Sequence, residues 1–215
     1  MKSPEASIEK RRRRKDARPG ELIDAGLQVF AAQGFAAARL EDVARRAGVA
    51  KGTIYRYFAD KEALFLAAVR SRITPVFDEI SGSVGLFSGT TRDILEFTIT
   101  AVHRQLINSE APVLMRIMIA EGDRFPALTQ LYYGEIVANG RALLERIVAR
   151  GIERGEIRAG AAADLPIVIV APAIMAAIWR ITFDRHAPIG DEAFLAAHLD
   201  LVFNGLLKPD GAGAA

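Results

Sequence analysis

The chain has 215 residues, 51% of them hydrophobic, which is enough to bury a substantial core. It contains no cysteine, which excludes disulfide scaffolds, thiolate metal sites and thiol catalysis and is consistent with a reducing compartment. Aromatic residues make up only 7% of the chain and alanine, the strongest helix former, is abundant, so we expect an all-helical protein.

The net charge of +2 conceals a division between the two ends of the chain. Residues 1–72 carry 16 Lys and Arg against 9 Asp and Glu, whereas residues 73–215 carry 12 against 17. A local excess of positive charge is typical of a nucleic-acid-binding surface. The basic run at 10–15 taken alone fits a solvated surface equally well, but its position just before the motif described below favours DNA.

No secretory signal peptide is predicted, because charged residues continue through Arg18 and no apolar segment follows the basic start. The longest apolar run, 165–179, contains Pro166 and Pro172. It is shorter than the roughly 18 to 20 residues needed to cross a bilayer. We therefore predict a cytoplasmic protein with no membrane partner.

The N-terminal part is predicted to consist of a flexible basic arm and a first helix. Residues 1–17 lack apolar periodicity, which predicts the arm. The helix is expected over 19–33, with Gly34 at its end. Its buried face is predicted to contain Leu22, Ile23, Leu27, Val29 and Phe30. Gly26 within it costs about 1 kcal/mol relative to Ala, which indicates close packing against another backbone.

Residues 39–58 show two short helices separated by a glycine-containing turn. The first helix has an apolar stripe formed by Leu40, Val43, Ala44 and Ala47, and Gly48 supplies the left-handed position that ends it. The second helix is too short to be stable on propensity alone, so Ile54 and Phe58 must be anchored on a core. This layout is that of a DNA-reading helix-turn-helix.

Cationic, hydroxyl and aromatic side chains of the second helix of this motif are predicted to face solvent. These side chains are Lys51, Thr53, Tyr55, Arg56 and Tyr57, and they suit contacts with phosphates and base edges in a major groove. Arg56 is the best candidate for base readout, because a guanidinium can pair in bidentate fashion with guanine.

A fourth helix and a linker are predicted next. Asp60 caps the helix and Lys61 lies in its first turn, with a buried stripe of Leu64, Phe65, Ala68 and Val69. The Gly- and Ser-rich segment 81–91 is predicted to link a helix-turn-helix domain at 18–80 to a second domain at 92–210.

The second domain is predicted to be helical throughout. Helices are expected around 94–106 and 112–120, over 126–154 with Gly155 at its end, from Asp164 onward, and over 191–207. Pro172 lies inside the helix that opens at Asp164 and is expected to kink it. The Gly- and Ala-rich residues 211–215 are predicted to be a frayed tail. The whole chain is expected to form about nine helices.

Residues 19–66 resemble the DNA-binding domain of the TetR/AcrR family of bacterial transcriptional repressors. The resemblance rests on Ala31-Ala32-Gln33-Gly34-Phe35, Val43-Ala44, Ala47-Gly48-Val49, Lys51-Gly52-Thr53-Ile54-Tyr55, Tyr57-Phe58 and Lys61-Glu62-Ala63-Leu64 at the family's spacing. The segment 115–126 resembles the start of the ligand domain in an AefR-like subgroup. Ala38 and Ala50 depart from the family, which usually has a capping Thr and Ser there; losing such a cap typically costs about 1 kcal/mol.

The resemblance implies a homodimer that places two recognition helices about 34 to 36 Å apart in successive major grooves of a palindromic operator. It also implies that a small-molecule inducer binds the second domain and that the last two helices form the dimer interface. The implied DNA-binding residues are Arg39, Lys51, Gly52, Thr53, Tyr55, Arg56, Tyr57 and Lys61. Tyr55 could instead be a packing residue. Lys61 could instead be a solvated surface lysine. An activator role fits the same resemblance.

Residues that bind the inducer are predicted from side-chain type. Large, adaptable apolar side chains suited to a pocket are Phe97, Met115, Met118, Tyr132, Tyr133, Met175, Trp179 and Phe183. His103 and Asn139 are candidates for orienting a ligand by hydrogen bonds. The alternative at each of these positions is an ordinary core or surface role.

Two other classes of function fit the sequence less well. An all-α enzyme needs a catalytic constellation, but the chain has three His, no Cys, no His-Glu-x-x-His motif, no phosphate-binding glycine loop and no nucleophile elbow. Asp184 and His186 are two positions apart and so face different sides of a helix. An architectural DNA or membrane-surface protein would not need a large apolar second domain. We therefore predict no catalytic residue, metal or cofactor, and three partners: operator DNA, a small apolar or amphipathic inducer and a second copy of the chain.

Overall fold

The computed structural model describes residues 4–86, 88–108 and 111–209. Residues 1–3 of the predicted arm and the predicted tail at 211–215 lie outside this set, as do the side chains of the basic run at 10–15. Within the described ranges the chain forms helices and no β-strand, and Ile157 and Leu207 form a single antiparallel bridge. The predicted all-α fold is confirmed.

The described ranges contain twelve α-helical segments, a π-helix and a 3₁₀ helix. In chain order they are α1 Pro4–Ala37, α2 Leu40–Arg46, α3 Lys51–Ile54, α4 Lys61–Arg72, α5 Thr74–Leu86, α6 Thr91–Asn108, α7 Ala111–Glu121, α8 Pro126–Tyr132, the π-helix Tyr133–Val137, α9 Ala138–Glu153, α10 Ala161–Asp164, the 3₁₀ helix Pro166–Ile169, α11 Ala171–Thr182 and α12 Asp191–Leu206.

These helices belong to two compact units. The first comprises Met1–Ser71 with Val113–Leu131, and the second comprises Arg72–Pro112 with Tyr132–Ala215. The predicted linker at 81–91 begins too early, because its first six residues continue α5 to Leu86. Ser83 donates its hydroxyl to the Glu79 carbonyl one turn back, 2.8 Å away, so its side chain bonds to the helix that it was expected to interrupt.

Helix α1 is longer than the predicted helix at 19–33. Its backbone is helical from Pro4, where a flexible arm was predicted, because Lys, Arg, Glu and Ala favour a helix even without apolar periodicity. Pro19 consequently lies inside the helix and not in its first turn. Gly34 has the positive φ of 76° that breaks the helical path, at the position predicted to end the helix.

The core of the first unit joins α1 to α4. Fully buried side chains there include Leu22, Phe30, Phe35, Leu64 and Phe65. A Cβ atom placed on Gly26 would lie 2.7 Å from Cδ2 of Leu64. The predicted close packing at Gly26 is therefore real, but its partner is a side chain and not a backbone.

The core of the second unit joins α5, α6, α9 and α12. Its buried side chains include Ile80, Ile94, Leu95, Ile99, Leu144, Ile147, Val202 and Leu206. These come from helices that are distant in sequence, so the unit depends on long-range apolar burial for its stability.

Two predicted helices of the second half differ from the structure. The helix predicted over 126–154 is divided into α8, the π-helix and α9, and Gly155 ends it as predicted with a φ of 69°. The predicted kink at Pro172 is wrong. Helix α11 begins at Ala171, so Pro172 lies in its first turn, where the missing N–H would have had no partner inside the helix.

Candidate nucleic-acid interface

The turn of the helix-turn-helix is built as the sequence predicts. Leu40, Val43 and Ala44 of α2 are buried against the core of the first unit, and Ala47 is half-buried. Gly48 has a φ of 65°, a conformation that costs glycine little. The amide of Val49 then donates to the Ala44 carbonyl at 2.9 Å, which closes the end of α2 and directs the chain into the next helix.

The recognition helix α3 is a single helical turn held by two anchors. Its regular part spans four residues, and the amides of Tyr57 and Phe58 extend it by donating to the Ile54 carbonyl at 3.0 and 2.9 Å. Ile54 is fully buried and Phe58 is only 7% exposed. Both side chains are therefore the anchors that the sequence predicts.

Of the two predicted N-cap positions, the structure has Ala50 at the N-cap of α3 but does not have Ala38 at the N-cap of α2. Ala50 occupies the N-cap of α3 with extended backbone angles (φ −67°, ψ 147°) and supplies no side-chain hydrogen bond. At α2 the N-cap is Arg39, also without a side-chain cap, whereas Ala38 is buried one residue earlier. The predicted missing cap is thus found at Ala50, and the residue at the other cap is arginine.

The predicted DNA-binding residues differ in their exposure. Those exposed are Arg39, Lys51, Gly52, Tyr55 and Arg56, and those half-buried are Thr53, Tyr57 and Lys61. The exposed set contains three cations and a phenol, which are donors for phosphate oxygens and base edges. Arg56 extends from the turn that follows α3.

Glu41 is a residue of this surface that the sequence analysis missed. Its carboxylate accepts from Lys51 Nζ at 2.7 Å and from the Tyr55 hydroxyl at 3.0 Å. The bond from Lys51 is the main reason why the pKa of Glu41 falls to about 2, and the carboxylate in turn raises the pKa values of Lys51 and Tyr55. The available sequence signal was an acidic residue in the first turn of α2, ten residues before Lys51 at the start of α3.

Lys61 has a structural role beside its predicted role toward phosphate. Its Nζ donates to the carbonyls of Phe35 and Ala36 at 2.7 and 2.9 Å and lies 4.7 Å from the centroid of the Phe35 ring. It therefore binds the C-terminal end of α1, and simple solvation does not describe it. Glu121 accepts from the Ala36 amide at 3.3 Å at the same helix end, a contact that the sequence analysis also missed.

The predicted inducer-binding residues are distributed over both units. Met115 and Met118 belong to the first unit, and the other eight belong to the second. The rings of Trp179 and Phe183 lie together, with centroids 5.1 Å apart. A small cleft is lined by Ala176, Trp179, Arg180, Asp184, Ile189, Asp191 and Phe194.

Other residues of this predicted set have different surroundings. Tyr133, Asn139 and Met175 are exposed, and the Asn139 side-chain amide donates to the Glu135 carbonyl of the preceding π-helix at 2.9 Å. Phe97 packs against the core of the second unit, and burial raises the pKa of Tyr132. A role in ligand binding remains a prediction at every one of these positions.

His103 forms a buried pair with His198, a partner that the sequence analysis did not assign to it. His198 Nε2 donates to the Ile169 carbonyl at 2.8 Å, so its Nδ1 accepts from His103 Nε2 at 3.0 Å. Burial lowers the pKa of both rings, and the charge of His198 lowers that of His103 further. The pair therefore favours neutral imidazoles that join α6 to α12.

Two general features bear on function. Among the described residues, no group of three or more His, Cys, Asp or Glu is arranged to hold a metal ion. None of the helices in the described ranges is both long enough and apolar enough to cross a membrane.

Comparisons with known proteins agree with this architecture. The model of the bacterial regulatory proteins of the tetR family matches residues 22–68, and that of a Tetracyclin repressor-like C-terminal domain matches residues 88–202. The chain is 28% identical over 148 residues to the HTH-type transcriptional regulator YvdT of Bacillus subtilis, covering 65% of this chain and 70% of YvdT.

Two further proteins are similar to the chain. It is 26% identical over 140 residues to the fatty acid metabolism regulator protein of Bacillus subtilis, covering 65% of this chain and 71% of that protein. The crystal structure of the transcriptional regulator FadR from Bacillus subtilis in complex with stearoyl-CoA has the same fold. It has a TM-score of 0.71 at 20% identity and covers 86% of this chain and 97% of that one.

A helix-turn-helix with exposed cations on a short recognition helix, followed by a helical second part, defines a DNA-binding transcriptional regulator. The chain belongs to the TetR family of bacterial transcriptional regulators, since the two family models together match most of its length. The finer assignment to an AefR-like subgroup stays a prediction, because the matching C-terminal model has only the general description.

Proposed function

We propose that this regulator represses transcription by binding a palindromic operator as a homodimer and that a small apolar or amphipathic inducer releases it. The observation that carries the proposal is the surface of α3, where Ile54 and Phe58 are buried while Lys51, Tyr55 and Arg56 remain exposed. Buried anchors fix the position of the helix, and its exposed donors lie on the surface where DNA can reach them.

Each predicted DNA-binding residue has a role in this proposal. Arg56 reads a guanine, and Lys51, Thr53 and Tyr57 contact neighbouring bases or the backbone. Gly52 lets the DNA backbone approach α3, and Arg39, Tyr55 and Lys61 contact phosphates. Lys61 has three N–H groups and gives two of them to backbone carbonyls. One donor of Lys61 is therefore left for a phosphate.

The homodimer is proposed to form through α11 and α12. Apolar side chains at and near these helices are exposed in the single chain, and large exposed apolar patches mark interaction surfaces. These side chains are Leu165, Val168, Ile174 and Leu201. A two-fold interface would cover them and set the spacing of the two recognition helices.

The inducer is proposed to be an amphipathic molecule with a long apolar chain. The FadR protein of similar fold was crystallised with stearoyl-CoA, and a relative of this chain is a fatty acid metabolism regulator. The candidate residues are those predicted from the sequence. Release requires that the inducer bind the DNA-free state more tightly, typically by about 1 to 3 kcal/mol. Binding of both ligands is proposed to occur in the cytoplasm.

A binding assay with an operator selected from a random DNA pool tests the proposal. Arg56→Ala is expected to weaken the specific complex about tenfold or more, since a bidentate guanine contact is worth about 1–3 kcal/mol. Arg185→Ala, an exposed arginine of the second unit, is the matched control and should bind as the wild type does. Adding acyl-CoA should release the DNA.

Two results would refute the proposed mechanism. One is a sequence-specific complex that survives combined replacement of Lys51, Arg56 and Lys61 by alanine. The other is a wild-type protein that occupies its operator as a stable monomer.

A further inference from the structure

One carboxylate binds two of the residues that are proposed to contact DNA. Glu41 of α2 accepts from Lys51 Nζ at 2.7 Å and from the Tyr55 hydroxyl at 3.0 Å. Lys51 also lies over the Tyr55 ring, 5.8 Å from its centroid. The three side chains thus form a closed cluster that joins the two helices of the DNA-binding motif.

The cluster orients side chains that would otherwise be mobile. Lys51 is the first residue of α3, and the N-cap before it provides no side-chain hydrogen bond. A lysine at such a position samples many rotamers, and ordering it on binding costs entropy. Glu41 holds both the ammonium and the phenol in place before DNA arrives.

The same carboxylate changes the charge that the surface presents to DNA. Its side chain is 37% exposed and its pKa is about 2, so it is ionised at neutral pH. A phosphate that approaches Lys51 meets this negative charge and competes with it for the ammonium. Non-specific binding consists almost entirely of phosphate neutralisation, whereas operator binding adds contacts with bases. The carboxylate therefore penalises non-specific complexes more than specific ones.

We infer that Glu41 is a specificity-determining residue, which orients Lys51 and Tyr55 for the operator and weakens binding to other DNA. The inference rests on the proposed operator binding. Glu41 is a positioning residue in this account and contacts DNA only through its two partners.

Salt-dependent binding to two duplexes tests the inference. Glu41→Gln keeps the shape of the side chain and removes its charge, so Lys51 becomes available to a phosphate. On a scrambled duplex the variant is expected to bind about threefold or more tightly at low salt. The slope of log K against log salt concentration should steepen by about 0.9 per recognition helix. The ratio of operator to scrambled affinity should fall about tenfold.

Two controls separate this effect from a general change in charge. Glu21→Gln removes the same charge from an exposed position on α1 of the same unit and should leave the salt slope unchanged. In a Lys51→Met background, Glu41→Gln should also leave the slope unchanged, because the ammonium that it would free is absent. Thermal unfolding checks that every variant is folded.

The inference would be overturned if Glu41→Gln and Glu21→Gln gave the same slope and the same affinity ratio. It would also be overturned if Glu41→Gln steepened the slope in the Lys51→Met background. A failure of the proposed function has a different signature, because the wild type itself would then bind the selected and the scrambled duplex equally well.

Discussion

At Gly26 the neighbouring Leu64 leaves no space for a side chain. A Cβ atom would lie 2.7 Å from Leu64 Cδ2, and Leu64 is fully buried. Overpacking of this kind costs about 1–3 kcal/mol, more than the gain in helix propensity of up to about 1 kcal/mol. We expect Gly26→Ala to lower the free energy of unfolding by about 1 kcal/mol, measured by urea denaturation.

Gly20 provides the matched control for this prediction. It lies in the same helix and no atom approaches within 4 Å of its Cβ position. Gly20→Ala should therefore raise the free energy of unfolding by up to about 1 kcal/mol through helix propensity. Equal stabilisation by both variants would show that the core yields at Leu64 and that the packing argument is wrong.

The sequence predicted single residues well where the reason was local. Gly48 and Gly155 end their helices with positive φ, and Asp60 caps α4 by accepting from the Ala63 amide at 2.7 Å. It missed Glu41 and underestimated Lys61, because both act through partners on other helices. No spacing rule encodes which distant carbonyl or phenol a charged side chain reaches.

At the scale of elements, a side-chain cap at the N-terminus of α3 should stabilise this short helix. Ala50 already has the extended backbone conformation of an N-cap residue and is exposed. Ala50→Thr adds a hydroxyl acceptor for a free amide of the first turn, whereas Ala50→Val adds the same shape without it. We expect the Thr variant to be more stable than the Val variant by about 1 kcal/mol in thermal unfolding.

The operator affinity of the same two variants is a second measurement. The Ala50→Thr variant should bind the operator more tightly than the Ala50→Val variant, since a better-formed α3 needs less ordering on binding. If the Ala50→Val variant were as stable as the Ala50→Thr variant, a side-chain cap at the N-terminus of α3 would not contribute to stability.

The buried pair of His103 and His198 predicts how stability depends on pH. Burial lowers both pKa values below the ordinary value of 6.5, so the unfolded chain takes up more protons than the folded one. The free energy of unfolding should therefore fall as the pH drops from about 6.5 toward the lowered values. Denaturation curves at pH 7.5 and 5.5 would measure the fall.

Variants of the histidines assign this effect to the pair. Replacing His103 and His198 together by leucine should flatten the pH dependence, whereas His186→Gln, at an exposed position, should leave it unchanged. Retention of the full pH dependence by the double variant would place its origin in other groups, such as the carboxylates.

Element boundaries were predicted less well than element types, for identifiable reasons. Helix α1 extends back to Pro4 because composition favours a helix where periodicity is absent. Pro172 was expected to kink a helix and instead lies in its first turn, since the preceding residues form a 3₁₀ helix. In both cases the apolar pattern alone did not locate the helix boundary.

At the scale of the whole molecule, the helical fold and the DNA-binding motif could be predicted from the sequence, whereas the compact units divide the chain at residues other than the predicted linker. Residues Val113–Leu131 belong to the first unit although they follow the predicted linker. Phe125 packs edge-on against Phe35 with ring centroids 5.2 Å apart, and Glu121 accepts from the Ala36 amide. Such long-range contacts decide which unit a helix joins, and composition does not record them.

The exposed apolar side chains of the second unit predict that the protein forms a dimer through this unit. Leu201 on α12 is 64% exposed, and burying a charge there without a partner would cost several kcal/mol. We expect Leu201→Glu to raise the dimer dissociation constant about a hundredfold and to weaken operator binding with it, measured by sedimentation equilibrium and DNA titration. Ile119 is equally exposed but lies in the first unit, so Ile119→Glu should remain dimeric. A Leu201→Glu protein that stays dimeric would place the interface elsewhere, because an unpaired charge buried in the interface would weaken the dimer.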